Sequence, residues 1–133
     1  METVEIRSIS RVEFIDITDR VQGVIERLDV SDGVCYVYVP HTTAGLTVNE
    51  NADPSVQEDI ITALERIIPR DQPYRHGEGN SPAHIKASLM GSSVVVFVRS
   101  NRLVLGTWQG IYFCEFDGPR NRRVYVTAVE GRP

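Results

Sequence analysis

Residues 94–105 read VVVFVRSNRLVL. Val94 to Val98 is an unbroken β-branched and aromatic run, which makes a strand. Ser100–Asn101–Arg102 is a tight turn, and Leu103 to Leu105 is the chain returning beside that strand. The same pattern continues to the C-terminus. Trp108 to Phe116 is a strand, Asp117 to Asn121 a turn, and Arg122 to Val129 the final strand. Turns this short join antiparallel neighbours. Toward the N-terminus, Thr3 to Ile9 alternates as a half-buried strand, Phe14 to Ile17 is a short apolar run, and Val34 to Val39 reads as a central strand. Helical signals lie between these runs. Thr18 or Asp19 caps a helix from about Arg20 to Leu28. Asp53–Pro54 opens a helix whose apolar face is Val56, Ile60, Ile61, Leu64, Ile67 and Ile68. Ser81–Pro82 repeats that device for a short helix running to Met90, with Gly91 as its C-cap. Strands joined by short turns, with two or three helices among them, predict an α+β fold with a largely antiparallel sheet.

The chain has 133 residues, 41% hydrophobic and 24% charged, which is the size and composition of one folded domain spanning 1–133. No apolar run approaches the roughly 18 residues of a membrane span. The N-terminal METVEIRSIS already alternates, so no secretory leader is expected, and a cytoplasmic protein with no membrane partner is. Eighteen acidic residues against fourteen basic ones give a net charge of −4, which argues against nucleic acid as a partner. Lys86 is the only lysine. Arginine therefore carries almost all the positive charge, and arginine suits bidentate binding of carboxylate or phosphate. Cys35 and Cys114 lie inside strand-like runs without the paired spacing of a zinc knuckle, so they are expected as buried thiols.

The three histidines, His41, His76 and His84, all fall at boundaries between elements, in stretches dense with polar residues and glycine. Three neutral imidazoles supply three ligands for zinc with a fourth position open. Three protonated ones bind phosphate or sulfate instead, and scattered surface or capping histidines are the plain structural reading. A site histidine needs an orienting partner. Glu50, at the end of an apolar strand, is the candidate, set against a plain exposed strand-end charge. Thr42 and Thr43 adjoin His41. Gly77, Gly79 and Asn80 can turn backbone N–H groups toward an anion, and the helix beginning at Ser81 adds its N-terminal dipole. Trp108 is a core anchor or one wall of a pocket, with Gln109 beside it as donor and acceptor. Arg120, Arg122 and Arg123 are either phosphate ligands or a solvated hairpin turn.

Four motifs, PHTTAGLTVNEN, GEGNSPAHIKASLMGSSV, LGTWQGI and EFDGPRNRRVYV, occur in one order between Pro40 and Val126, within a resemblance that runs from about Ser8 to Val129. In this the chain resembles the YjbQ-like family, also called UPF0047. The resemblance implies an α+β fold with a β-sandwich-like core, assembled as a homotrimer. Some family members are described as secondary thiamine-phosphate synthases, which join a hydroxymethylpyrimidine diphosphate to a thiazole phosphate and expel pyrophosphate. The family's histidines fall on His41, His76 and His84, and a divalent metal, often taken as zinc, is associated with them in some members. Pro82 departs from the small residues expected between Asn80 and His84. Two functions follow as expectations. One is an enzyme acting on a small phosphorylated heterocycle, with His41, His76, His84 and Glu50 as catalytic or metal groups, and Thr42, Thr43, Gly79, Asn80, Trp108, Gln109 and Arg120 against the substrate. The other is a non-catalytic homotrimer that binds a metal or metabolite. The chain lacks the paired acidic motif that usually presents magnesium to a diphosphate.

Overall fold

In the computed structural model, which describes residues 1–132, eight strands and three helices form in the order β1 (Glu2–Arg7), β2 (Glu13–Asp16), α1 (Thr18–Leu28), β3 (Gly33–Tyr38), β4 (Ala44–Glu50), α2 (Pro54–Ile67), α3 (Ser81–Met90), β5 (Ser93–Arg99), β6 (Arg102–Leu103), β7 (Gln109–Glu115) and β8 (Asn121–Glu130). The strands make a five-stranded sheet, β1-β8-β3-β5-β6, and a three-stranded sheet, β2-β7-β4. Every pairing is antiparallel, so the expected α+β class is the observed one.

The alternation along β7 explains the layering. Ile111 and Phe113 point into a core shared with α1 (Val21, Val24, Ile25) and with the five-stranded sheet (Val4, Cys35, Val37, Val98, Val124, Val126). Tyr112, Cys114 and Phe116 point the other way, against Leu64 of α2 and Ala83 and Ala87 of α3. The small sheet is thus covered on both faces. The outer face of the large sheet is bare, leaving Tyr36, Tyr38, Val95, Phe97 and Val129 exposed.

The hairpin around Ser100 and Asn101 forms as expected. Ser100 and Asn101 both take positive φ, at 51° and 62°, as a two-residue turn with right-handed strand twist requires. Its return strand is shorter than expected, because the ladder closes after Leu103. Three local readings are corrected. Helix α1 starts at Thr18 with Ile17 as its cap residue, and Asp16 accepts from the Thr18 amide and hydroxyl. Helix α3 starts at Ser81 after Asn80, with no side-chain cap. On α2, Leu64 is buried and Ile68 just beyond it is buried, whereas Ile67 is 69% exposed, so the apolar stripe is narrower than its pattern. The Asp53 cap is as expected, accepting from the Ser55 amide at 2.9 Å.

Two contacts fix α3 over the small sheet. Gly45 lets the helix end close onto β4, since a Cβ there would meet Met90 Cβ at 2.8 Å and Gly91 O at 2.9 Å. On the other side Lys86, 3% exposed, donates to Glu65 of α2 at 2.6 Å. No helix among the described residues is long and apolar enough to cross a membrane. Cys35 and Cys114 are both buried and free.

Candidate functional site

Three chain segments meet where β4 begins and β7 ends. The link after β3 brings Pro40 to Thr43, the loop before α3 with its first turn brings His76 to His84, and the turn after β7 brings Asp117 to Arg122. Between them lies a cleft of about 660 Å³ lined by His41, His76 and His84 together with Thr42, Thr43, Glu78, Asn80, Asp117, Arg120 and Arg122. The fold therefore brings the three histidines to one place, although 35 residues of sequence separate the first two. The His76 and His84 rings stand edge to face with centroids 5.3 Å apart. A smaller apolar recess shares both of them and adds Tyr74 and Ile85.

His41 is oriented by the backbone. The Arg123 amide donates to its Nε2 at 3.0 Å. In the neutral ring an accepting Nε2 puts the proton on Nδ1. Burial, and then the charges of Arg122 and Arg123, hold His41 below its ordinary pKa, against the opposing pull of Glu115 and the Arg123 hydrogen bond. His41 is thus a neutral donor at neutral pH.

This polarity decides the fit of a metal. A ligating histidine donates its second N–H to an acceptor. Here the second nitrogen is itself the acceptor, so Nδ1 cannot turn to a metal without facing one N–H against another. Arginine charge beside the ring also opposes a cation. Among the described residues no group of three or more His, Cys, Asp or Glu is placed to hold a metal ion. The arrangement does not fit the expected three-histidine zinc site.

The backbone anion cradle is also smaller than expected. Gly79 N–H donates to His76 O at 3.2 Å. Pro82 has no N–H, and the Ala83 and His84 amides turn back to Asn80 O at 3.0 and 3.4 Å. Gly79 itself lines a small neighbouring recess rather than the cleft. Side chains of the cleft are also tied to one another. Asn80 donates to Asp117 at 2.8 Å, and Arg120 donates to the same carboxylate at 3.0 Å and to Asp117 O at 2.9 Å.

Glu50, Trp108 and Gln109 lie elsewhere. In the β4–β7 ladder Ala44 pairs with Glu115 beside the cleft, and Glu50 pairs with Gln109 at the opposite end. Six residues of strand separate those ends by about 20 Å. There Glu50 accepts from the Ala52 amide at 2.8 Å, and Gln109 accepts from the Gly106 amide at 2.8 Å. Trp108 is 62% exposed, neither a core anchor nor a wall of the cleft. Glu50 does not orient a histidine in this chain, because the strand carries it away from them.

Sequence reasoning missed Glu115, and it offered Arg122 only as one arginine of a turn, not as half of a buried pair. Both are buried and ion-paired directly under the cleft. The signal was present: Glu115 is a lone carboxylate inside the apolar run from Ile111 to Phe116, where an unpaired charge is costly.

The molecule is an α+β domain of two antiparallel sheets, with a polar histidine-lined cleft at one end of the smaller one. The sequence profile described as UPF0047 protein YjbQ-like matches residues 2–131, and the chain belongs to that family. It is 50% identical over 125 residues to UPF0047 protein MJ1081 of Methanocaldococcus jannaschii, covering 94% of this chain and 91% of the relative. It is 47% identical over 127 residues to UPF0047 protein YugU of Bacillus subtilis, covering 95% and 96%. A crystal structure of an uncharacterized conserved protein of the same family from Clostridium acetobutylicum superposes with a TM-score of 0.95 at 50% identity, covering 97% of this chain and 100% of that one. A protein of unknown function from Sulfolobus solfataricus superposes with a TM-score of 0.93 at 32% identity, covering 98% and 96%.

Proposed function

We propose that the cleft binds a small phosphorylated heterocycle and that the chain acts on it as a secondary thiamine-phosphate synthase-like enzyme. In that reaction a thiazole nitrogen attacks the methylene carbon of a pyrimidine diphosphate, and pyrophosphate leaves. The observation that carries the reading is the make-up of the cleft. It joins a neutral His41 donor, two arginines, two threonine hydroxyls and two further imidazoles in one polar hollow. Phosphate oxygens accept hydrogen bonds from all of these groups. The adjoining recess of Tyr74, His76, His84 and Ile85 offers an apolar wall for a ring. Glu50, Gly79, Trp108 and Gln109 have no part in this proposal.

We further propose a cytoplasmic homotrimer. The trimer comes from the family resemblance, and the bare outer face of the five-stranded sheet supports self-association, since contiguous exposed apolar patches mark interfaces. Two free, buried thiols accord with a reducing compartment.

The test is a pyrophosphate-release assay on purified protein with the two phosphorylated precursors, run beside calorimetric titration with each precursor and elemental analysis for metals. Turnover that disappears in His41→Ala supports the enzyme. Tight binding without turnover supports the non-catalytic binding protein. Failure to bind any phosphorylated compound ends the reading, and stoichiometric metal would reopen the zinc site.

A further inference from the structure

Beneath the cleft lies a buried ion pair that the histidines do not account for. Glu115 is fully buried and Arg122 is 3% exposed. Desolvated charges of this kind persist only where each is completely paired and hydrogen-bonded. On the carboxylate side the pairing is complete. Arg122 Nε donates to Glu115 Oε1 and Oε2 at 2.9 and 3.2 Å, the Ser8 hydroxyl donates to Oε1 at 2.6 Å, and the Asp117 amide donates to Oε2 at 3.0 Å. On the guanidinium side it is not. Nη2 donates to Glu115 and, at 2.8 Å, to Thr43 Oγ1. Nη1 donates to no protein atom among the described residues.

That nitrogen is not sealed in the core. Among the described residues Asn80 Oδ1 is the one fully buried side-chain polar atom lacking a partner. Nη1 therefore keeps its opening, and the surface on which Arg122 opens is the cleft that it lines. Arg120, by contrast, is half exposed and already bound to Asp117 through Nε and Nη2.

We infer that Arg122, rather than Arg120, grips the phosphoryl oxygen of the ligand through Nη1, and that Glu115 is its positioning residue. The inference deepens the phosphorylated-ligand reading above and rests on it. Because Glu115 neutralises Arg122, the pair offers a fixed donor rather than net attraction. A donor locked by packing and hydrogen bonds loses little freedom on binding. Arg120, half exposed and held by Asp117 at the rim, offers a solvent-screened contact that weakens with salt. Thr43, whose oxygen already accepts from Arg122, retains its own proton to donate beside Nη1.

The experiment is calorimetric titration of the full chain with inorganic pyrophosphate, comparing wild type, Arg120→Ala and the paired substitution Arg122→Met with Glu115→Leu. Replacing both charges by apolar residues of similar volume preserves a buried site where removing one does not. The paired variant should fold, as read by near-UV circular dichroism, and bind at least about tenfold more weakly, the loss of one charged hydrogen bond. Arg120→Ala should bind less than about tenfold more weakly, with a reduced salt dependence. In wild type the Arg122 Nε–Hε resonance should shift as pyrophosphate is added, which a merely structural ion pair would not do. A folded paired variant with wild-type affinity overturns the inference, as does complete loss in Arg120→Ala alone. If the paired variant does not fold, the resonance decides, and its failure to move at saturation overturns the inference while the cleft reading stands. Wild-type protein that binds no pyrophosphate overturns the cleft reading itself, and this inference with it.

Discussion

The Arg123 amide and His41 Nε2 are hydrogen-bonded at 3.0 Å, so a strand of the large sheet dictates the tautomer of a residue in the link between β3 and β4. β8 carries Arg123 beside β1, where it pairs with Glu5, and leaves its N–H turned toward the end of β3. The histidine that sequence alone leaves free to be base, ligand or cation is thereby committed to one form.

The first prediction is a pH profile. An unfolded chain protonates His41 near its ordinary value of 6.5, while the folded chain resists. Stability from this residue is complete above that value and falls as pH drops toward the lower folded one. Glu115 adds a second step. Burial raises its pKa, but hydrogen bonds from Arg122, Ser8 and the Asp117 amide, with the charge of Arg122, outweigh this and hold it below 4.5. Its contribution is complete above 4.5 and declines below. Urea unfolding at about pH 8, 6 and 4 should resolve both steps. His41→Gln, which keeps an acceptor but cannot titrate, should lose the upper step alone. A His41→Gln profile parallel to wild type throughout would contradict the assignment.

The second prediction separates site from scaffold. His41→Ala should cost less than about 1.5 kcal/mol, one hydrogen bond whose donor water can replace, and should abolish ligand binding. Leu64→Ala, which empties a buried position between α2 and the small sheet, should cost about 2–5 kcal/mol and leave affinity unchanged in the folded fraction. Denaturant midpoints and titrations of both variants check this. Equal destabilisation by the two would make His41 structural.

A third prediction concerns the buried pair. Glu115→Ala should destabilise by about 3–5 kcal/mol, because it strands Arg122 without a counter-charge. Glu115→Leu together with Arg122→Met should recover most of that loss. A double-mutant cycle in which the two single effects simply add is the opposing result.

The fourth prediction concerns assembly. Phe97 is 54% exposed and Tyr38 50% exposed on the outer face of the large sheet. Replacing both with Glu should leave the fold intact, since neither side chain packs in the core. Sedimentation should then move from trimer to monomer. Wild-type protein that sediments as monomer at micromolar concentration removes the premise.

Much of this was legible in the residues. Asp53–Pro54 carried its own helix start, and the Ser100–Asn101 turn carried the hairpin, because both depend on local backbone chemistry alone. The convergence of His41, His76 and His84 was legible only as polar residues gathered at element boundaries, since no local rule sets which boundaries meet. The cost of a lone carboxylate in an apolar strand does not fall on Glu50, at a strand end that water reaches. It belongs to Glu115, which is fully buried. Trp108 misled for a related reason: a large aromatic invites a core or pocket role, but it falls in the turn just before β7, beyond the ladder.

The ties between Ser8 and the turn after β7 carry a further consequence. Ser8 N–H donates to Arg120 O at 3.1 Å, and Arg120 N–H donates to Ser8 Oγ at 2.9 Å, across 112 residues of chain. The floor of the cleft is thus clasped by segments 112 positions apart in sequence. A nascent chain on the ribosome presents Ser8 and all three histidines long before it presents Arg120, Arg122 and the strand that orients His41. Contacts of such separation form late. A chain stopped before Asn121 therefore carries all three imidazoles but neither Arg122 nor the Arg123 amide that orients His41. On the proposed reading, the site is assembled only once β8 has been laid down.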